Sequence, residues 1–205
     1  LSMITSCVAM ADAPRYSPYN SSMASNYAYQ WALSKNPQYP DFSANTLQGG
    51  DCTNFVSQAL HTGGWQYTAS RDDKSTNTWY VAWNNAKRAF TNSQTWSTAA
   101  GFYRRIINDK YEKSVLPTSD LYSLRPGDIA FLTSGGKSHH TMIVTGYQEK
   151  PWSNPFASYG PLVSYHNGGV NPNTNMPNLP QQNILLTEVI ARSPNDTPVF
   201  AKVRS

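Results

Sequence analysis

The sequence predicts an α+β domain in which N-terminal helices pack on an antiparallel β-sheet. Three observations predict it. Apolar residues recur at helical spacing in the first half of the chain. After Pro126-Gly127 the pattern changes to short apolar runs bounded by Gly, Pro, Asn and Ser. No segment repeats, so helices come first and strands later in one unit. The 205 residues suit a single domain with a real core, assigned to residues 19–205.

Residues 1–18 form a separate piece, an export-signal remnant or an N-terminal arm. Ala9-Met10-Ala11 fits a small-x-small signal-peptidase site, and Ile4-Thr5-Ser6-Cys7 resembles a lipoprotein attachment site with Cys7 as the lipid carrier. A secreted or envelope location is therefore expected. No other stretch is long and apolar enough to span a bilayer.

The first helix is expected from Met23, Tyr27 and Trp31, beside the small stripe Ala24, Ala28, Ala32, with Ser21 or Ser22 as its cap. Residues 36–50 read as an irregular loop. A second helix starts at Asp51 or Cys52 and stops at Gly63-Gly64. Residues 76–115 are expected to hold further helix, with Trp79, Trp83, Ala86 and Phe90 on one face and Phe102, Tyr103, Ile106 and Ile107 in a later stretch. Strands are expected at 129–132, 140–145 and 162–166, and a closing pair at 184–191 and 199–203 around the turn Ser193-Pro-Asn-Asp196.

Composition narrows the function. The net charge is +4 and the isoelectric point about 9.0, a balance that favours anionic surroundings such as wall polymers. The basic residues are scattered and match no nucleic-acid motif, so nucleic-acid binding is not expected. The two cysteines, Cys7 and Cys52, supply no disulfide framework.

Gly49-Gly50-Asp51-Cys52-Thr53-Asn54-Phe55 is the segment that carries chemistry. A thiol at a helix start meets unpaired N–H groups and the positive end of the helix dipole, which favour thiolate. Its own N–H can also face a developing oxyanion. The competing role is that of a small buried apolar side chain. A thiol nucleophile needs a base and the base an orienter. His61, at the far end of the same helix, is expected to cap it. His139 and His140 lie where a loop enters a strand, and alternation places them on opposite faces. His166 and Asn167 end the third strand, where either can accept from a base.

These segments resemble the putative amidase-domain family, within the papain-like group that includes NlpC-type and CHAP enzymes. Gly49 to Gln58 is similar to its nucleophile motif. Tyr27 to Ala32 and Asn36 to Phe42 also resemble it, as do Leu124-Arg-Pro-Gly-Asp-Ile-Ala-Phe131, His140-Thr-Met-Ile-Val-Thr-Gly146 and Ser164-Tyr-His-Asn167. The resemblance implies a papain-like, NlpC-like fold with Cys52 as nucleophile, His140 as base and His166 or Asn167 as orienter, while His139 faces away. Gln48, Asp51 and Thr53 become candidates for the oxyanion and binding site. The long loop Gln148 to Gly160 departs from the family pattern. Peptidoglycan or a peptide is the implied substrate, with no cofactor and no metal, for a monomer. The rival readings are a metal-dependent hydrolase using the histidines, for which no His-Glu-x-x-His motif exists, and a non-catalytic wall-binding or toxin-like module.

Overall fold

The computed structural model describes residues 18–44, 50–154, 156–166 and 179–204. Helices α1 (Ser21–Trp31) and α2 (Cys52–Thr62) come first. A hairpin of β1 (Val81–Asn84) and β2 (Ala89–Asn92) follows, then the short helices α3 (Gln94–Ser97) and α4 (Ala99–Tyr103). The remaining elements are β3 (Val115–Thr118), β4 (Ile129–Ser134), β5 (Lys137–Gln148), β6 (Gly160–Tyr165), β7 (Gln181–Leu185), α5 (Leu186–Ala191) and β8 (Thr197–Val203). The main sheet has six strands in the order β3-β8-β4-β5-β6-β7, every neighbouring pair antiparallel. The architecture is α+β.

Alternation along the strands makes two cores. Ile129, Phe131 and Ile143 face α1 and α2, in a cluster with Phe55, Val56, Leu60, Trp79 and Trp96. Ala130, Leu132, Met142, Val144, Val163 and Tyr165 face the other way and are covered by Leu186 and Val189 of α5.

The helix starts and stops have local causes. Asn20, not Ser21 or Ser22, caps α1: its Oδ1 accepts from the Met23 N–H at 2.9 Å. The small stripe is the buried one, with Ala24, Ala28 and Ala32 at 0% exposure, while Met23 is 52% exposed. Small side chains let α1 approach the end of α2, where a Cβ on Gly63 would lie 2.9 Å from that of Ala24. Helix α2 ends as a Schellman turn. Trp65 N–H reaches the Leu60 carbonyl, Gly64 N–H reaches that of His61, and Gly64 takes φ 110°. His61 completes this end by donating from Nδ1 to the Trp65 carbonyl.

Two further expectations fail. The residues expected to share a helical face after Trp79 form a hairpin, in which Trp83 and Phe90 meet as cross-strand partners with ring centroids 5.2 Å apart. Their spacing fits a helix, but the turn between them, closed by Arg88 at φ 46°, brings them together across two strands. The stretch 184–191 is also not one strand: β7 stops at Leu185 and α5 follows. Strand β8 pairs with β3 and β4 rather than closing on β7. Leu186 and Val189 are needed to cover the second face of the sheet, and helical spacing presents both to it.

The Arg-Pro-Gly-Asp turn fixes where β4 and β5 run. Asp128 accepts from Arg125 N–H and Val203 N–H, each at 2.8 Å, and Tyr19 donates to the Gly127 carbonyl at 2.7 Å. Gly127 sits at φ 92° with a would-be Cβ 2.7 Å from Ser21, so no other residue fits there.

Candidate functional site

Cys52 is the first residue of α2 and is 1% exposed. Its sulfur lies beside Thr141 of β5, whose backbone N–H favours the thiolate, and 3.7 Å from the Thr53 hydroxyl. Thr53 in turn shares a hydrogen bond of 3.0 Å with the Thr141 hydroxyl. The pairing of β5 with β6 stops at Ile143 opposite Ser164, so Thr141 lies past the last rung on that side. The start of α2 is thus laid against β5 beyond the last residue that β5 pairs with β6. Burial pushes the thiol pKa up, opposed by the Thr141 N–H and the Thr53 hydroxyl and reinforced by the Asp51 charge. Helix-start placement favours thiolate, but here burial outweighs it, and the resting group is a thiol.

Asp51 does not cap α2 with its side chain. Its carboxylate, 1% exposed, faces inward and collects four donors. Oδ1 accepts from Phe42 N–H at 2.9 Å and Asn54 Nδ2 at 2.8 Å. Oδ2 accepts from Lys35 Nζ at 2.8 Å and His166 Nδ1 at 2.6 Å. Burial raises its pKa, and the bonds from His166, Lys35 and Phe42 together with the Lys35 charge overcome that and hold it below the ordinary range. Asn54 is also satisfied, donating to the Pro40 carbonyl and accepting from Trp96 Nε1 at 2.7 Å.

His166 follows the last residue of β6 and stacks on Phe55, ring centroids 4.1 Å apart. Its Nε2 lies 2.8 Å from the Trp31 carbonyl and its Nδ1 on Asp51. Both nitrogens are engaged below Cys52, which leaves none for His140.

His140 is opposite Leu132 and shares the α5 side of the sheet with Met142. It meets Tyr165 edge-on, centroids 4.6 Å apart, and is 2% exposed. Tyr165 and His166 are consecutive residues, and they turn to opposite sides. Neither ring nitrogen of His140 has a hydrogen-bond partner among the described residues. Burial, then the nearby His139, lowers its pKa to about 3, so at neutral pH it is an unprotonated imidazole. His139 does not simply alternate with it. The register passes from Leu132–His140 to Thr133–Ser138, which makes His139 the extra residue of a β-bulge. Its Nε2 lies 3.0 Å from Asp196 Oδ1.

The structure therefore brings Cys52, Thr53 and Thr141 together on the α2 side of the sheet, turns His140 to the α5 side, and separately brings Asp51 and His166 together. Gln48, Asn167 and Cys7 lie outside the described residues. Lys35, Asn54 and Asp196 are polar partners that the sequence did not single out. Lys35 comes from a loop and Asp196 from a turn, and no local pattern announces contacts so distant along the chain. Among the described residues, no group of three or more His, Cys, Asp or Glu side chains is arranged to hold a metal ion, and no helix is long and apolar enough to cross a membrane.

An α+β chain with a cysteine at a helix start against a histidine-bearing strand defines a class within which known proteins can be compared. Residues 18–180 match the family described as Putative amidase domain, and the chain belongs to that family. Its description places it among proteins acting on amide bonds. The chain is also similar to a relative from Bacillus subtilis (strain 168), Uncharacterized protein YhbB, at 28% identity over 123 residues. That match covers 59% of this chain and 35% of the relative, so the chain spans well under half of that protein's length. No solved structure matches it.

Proposed function

We propose that the protein is a cysteine-dependent amide hydrolase on a papain-like scaffold, with Cys52 as nucleophile and His140 as base. The observation that carries this reading is the placement of Cys52 at the start of α2 beside Thr141, the strand residue next to a buried imidazole whose nitrogens lack partners among the described residues. His140 takes the thiol proton as the sulfur attacks the amide carbonyl. The Cys52 N–H faces the oxyanion, and His140 returns the proton to the leaving amine. The thioester is then hydrolysed by water that the same ring deprotonates. At neutral pH His140 is unprotonated, the state the first transfer needs, and the thiolate formed in that transfer stabilises the imidazolium that burial alone disfavours.

The substrate we favour is the peptide part of peptidoglycan, met outside the cytoplasm. The positive balance of the chain and the resemblance to wall-directed enzymes support it. The test is mass spectrometry of purified peptidoglycan before and after digestion. New termini at one amide bond are expected, stopped by iodoacetamide and spared by EDTA. Cys52→Ala is expected to abolish them with the fold intact. Retained activity in that variant sinks the assignment, and capture of wall material without new termini favours a binding module.

A further inference from the structure

Among the described residues, five buried side-chain nitrogen or oxygen atoms lack a hydrogen-bond partner, and four of them belong to His139, His140 and Asp196. Buried polar groups are nearly always paired, so such a concentration calls for a cause. The three residues meet where the tip of the β4–β5 hairpin abuts the start of β8. The bulge at His139 lies directly before His140. His139 is half-buried, and its Nε2 lies 3.0 Å from Oδ1 of the Asp196 carboxylate, which is 1% exposed, a close contact without hydrogen-bond alignment. On its other side the bulge is tied by the Ser138 hydroxyl, which donates to the His140 carbonyl at 3.0 Å. A bulge re-aims the side chain next to it and needs something to hold it.

We propose that His139 and Asp196 are positioning residues for the reaction: their contact holds the bulge, and the held bulge fixes how the adjacent His140 is presented. This rests on the reading of His140 as the base. It also assigns a task to the histidine that is not the base, and to a turn carboxylate supplied by the start of β8 rather than by the strand that carries His166. The unpaired nitrogens of His140 then have their partners in the reacting groups, the thiol proton and the leaving amine. His140 stays fixed without a hydrogen bond of its own, because the residue beside it is anchored.

The test uses alkylation of Cys52 by iodoacetamide, followed by intact mass across a pH series. It needs no knowledge of the substrate. Deleting His139 removes the extra residue and leaves Leu132–His140 and Thr133–Ser138 in ordinary register. This deletion and Asp196→Ala are expected to slow alkylation near neutral pH by roughly 100-fold, the contribution of a positioned base. Well above the thiol pKa, where the sulfur ionises unaided, rates should match the parent. Asp196→Asn keeps an acceptor in place and should recover most of the neutral rate. Folding is checked by circular dichroism, and His139→Gln serves where the deletion does not fold. If His140→Ala removes the neutral-pH rate while both the deletion and Asp196→Ala retain it, the pinning role is overturned. If His140→Ala leaves that rate unchanged, the base assignment itself fails.

Discussion

Two polar centres, one at the start of α2 and one at the β4–β5 hairpin, differ in how completely they are satisfied. Around Asp51, both carboxylate oxygens carry two donors each, and both nitrogens of His166 are taken. Around His140, both ring nitrogens lack partners, as do His139 Nε2 and Asp196 Oδ2. Both centres are buried, so exposure does not explain the contrast. A satisfied network is rigid and resists rearrangement, which suits a frame. An unsatisfied one costs stability and persists where its groups are kept for something that arrives later. The Asp51 centre holds the first turn of α2, and with it Cys52. The histidine centre holds the capacity to move a proton.

The largest effect expected from this division is on stability, at the satisfied centre. Asp51→Ala removes an acceptor from Lys35, His166, the Phe42 N–H and Asn54 at once. Losing one partner of a buried ion pair costs about 3–5 kcal/mol. Urea unfolding should show a correspondingly lower midpoint, with alkylation of Cys52 losing its protection as the helix start loosens. A change below about 1 kcal/mol, the worth of an ordinary surface pair, would break the comparison at its stronger end.

The opposite sign is expected at the other centre. His140→Leu removes two unpaired buried nitrogens, each of a kind that costs about 1–3 kcal/mol, and should hold or raise stability at neutral pH while turnover disappears. The pH dependence sharpens this. His140 has its folded pKa depressed from 6.5 to about 3. As pH falls through that window the unfolded chain takes up the proton first. The stability owed to a neutral His140 is therefore complete above about pH 6.5 and lost towards pH 3. Thermal midpoints followed from neutral to acid pH should fall less steeply in the Leu variant. Parallel curves for the two proteins would show that the ring is not held neutral by its surroundings.

How much of this was legible in the sequence follows from the range of each interaction. Helix α2 was visible to within a residue at its start, because the glycines and the apolar spacing are local. Strands β4, β5 and β6 were visible as apolar runs for the same reason. The β1–β2 hairpin was hidden because Trp83 and Phe90 satisfy a helical spacing as well as a cross-strand one. Strand β3, whose Val-Leu-Pro-Thr is short and contains proline, sits on the sheet edge where proline is tolerated. At the site, Cys52 and the histidines could be named, but their partners could not. The Asp51–His166 bond joins residues 115 apart, and a one-residue bulge decided how the histidine pair is presented. Alternation from sequence assumes no bulge, so the two histidines were assigned faces by a rule that His139 interrupts.

The smallest expected effect discriminates most finely. Lys35 bonds Asp51 at 2.8 Å and Asp41 at 3.2 Å, but its side chain is 34% exposed, whereas His166 is 2% exposed. Lys35→Met leaves Asp51 with Phe42, Asn54 and His166 and keeps an aliphatic stem of similar length. Solvent reaches the lysine side of the pair, so the loss should be about 1 kcal/mol or less and should shrink further in high salt. A matched urea titration at low and high ionic strength measures it. If Lys35→Met costs as much as Asp51→Ala, the centre is a single cooperative unit in which the exposed cation is as necessary as the buried histidine. If it costs little, the frame under Cys52 is built from the buried donors, and Lys35 serves mainly to tie the loop carrying Asp41 to the helix start.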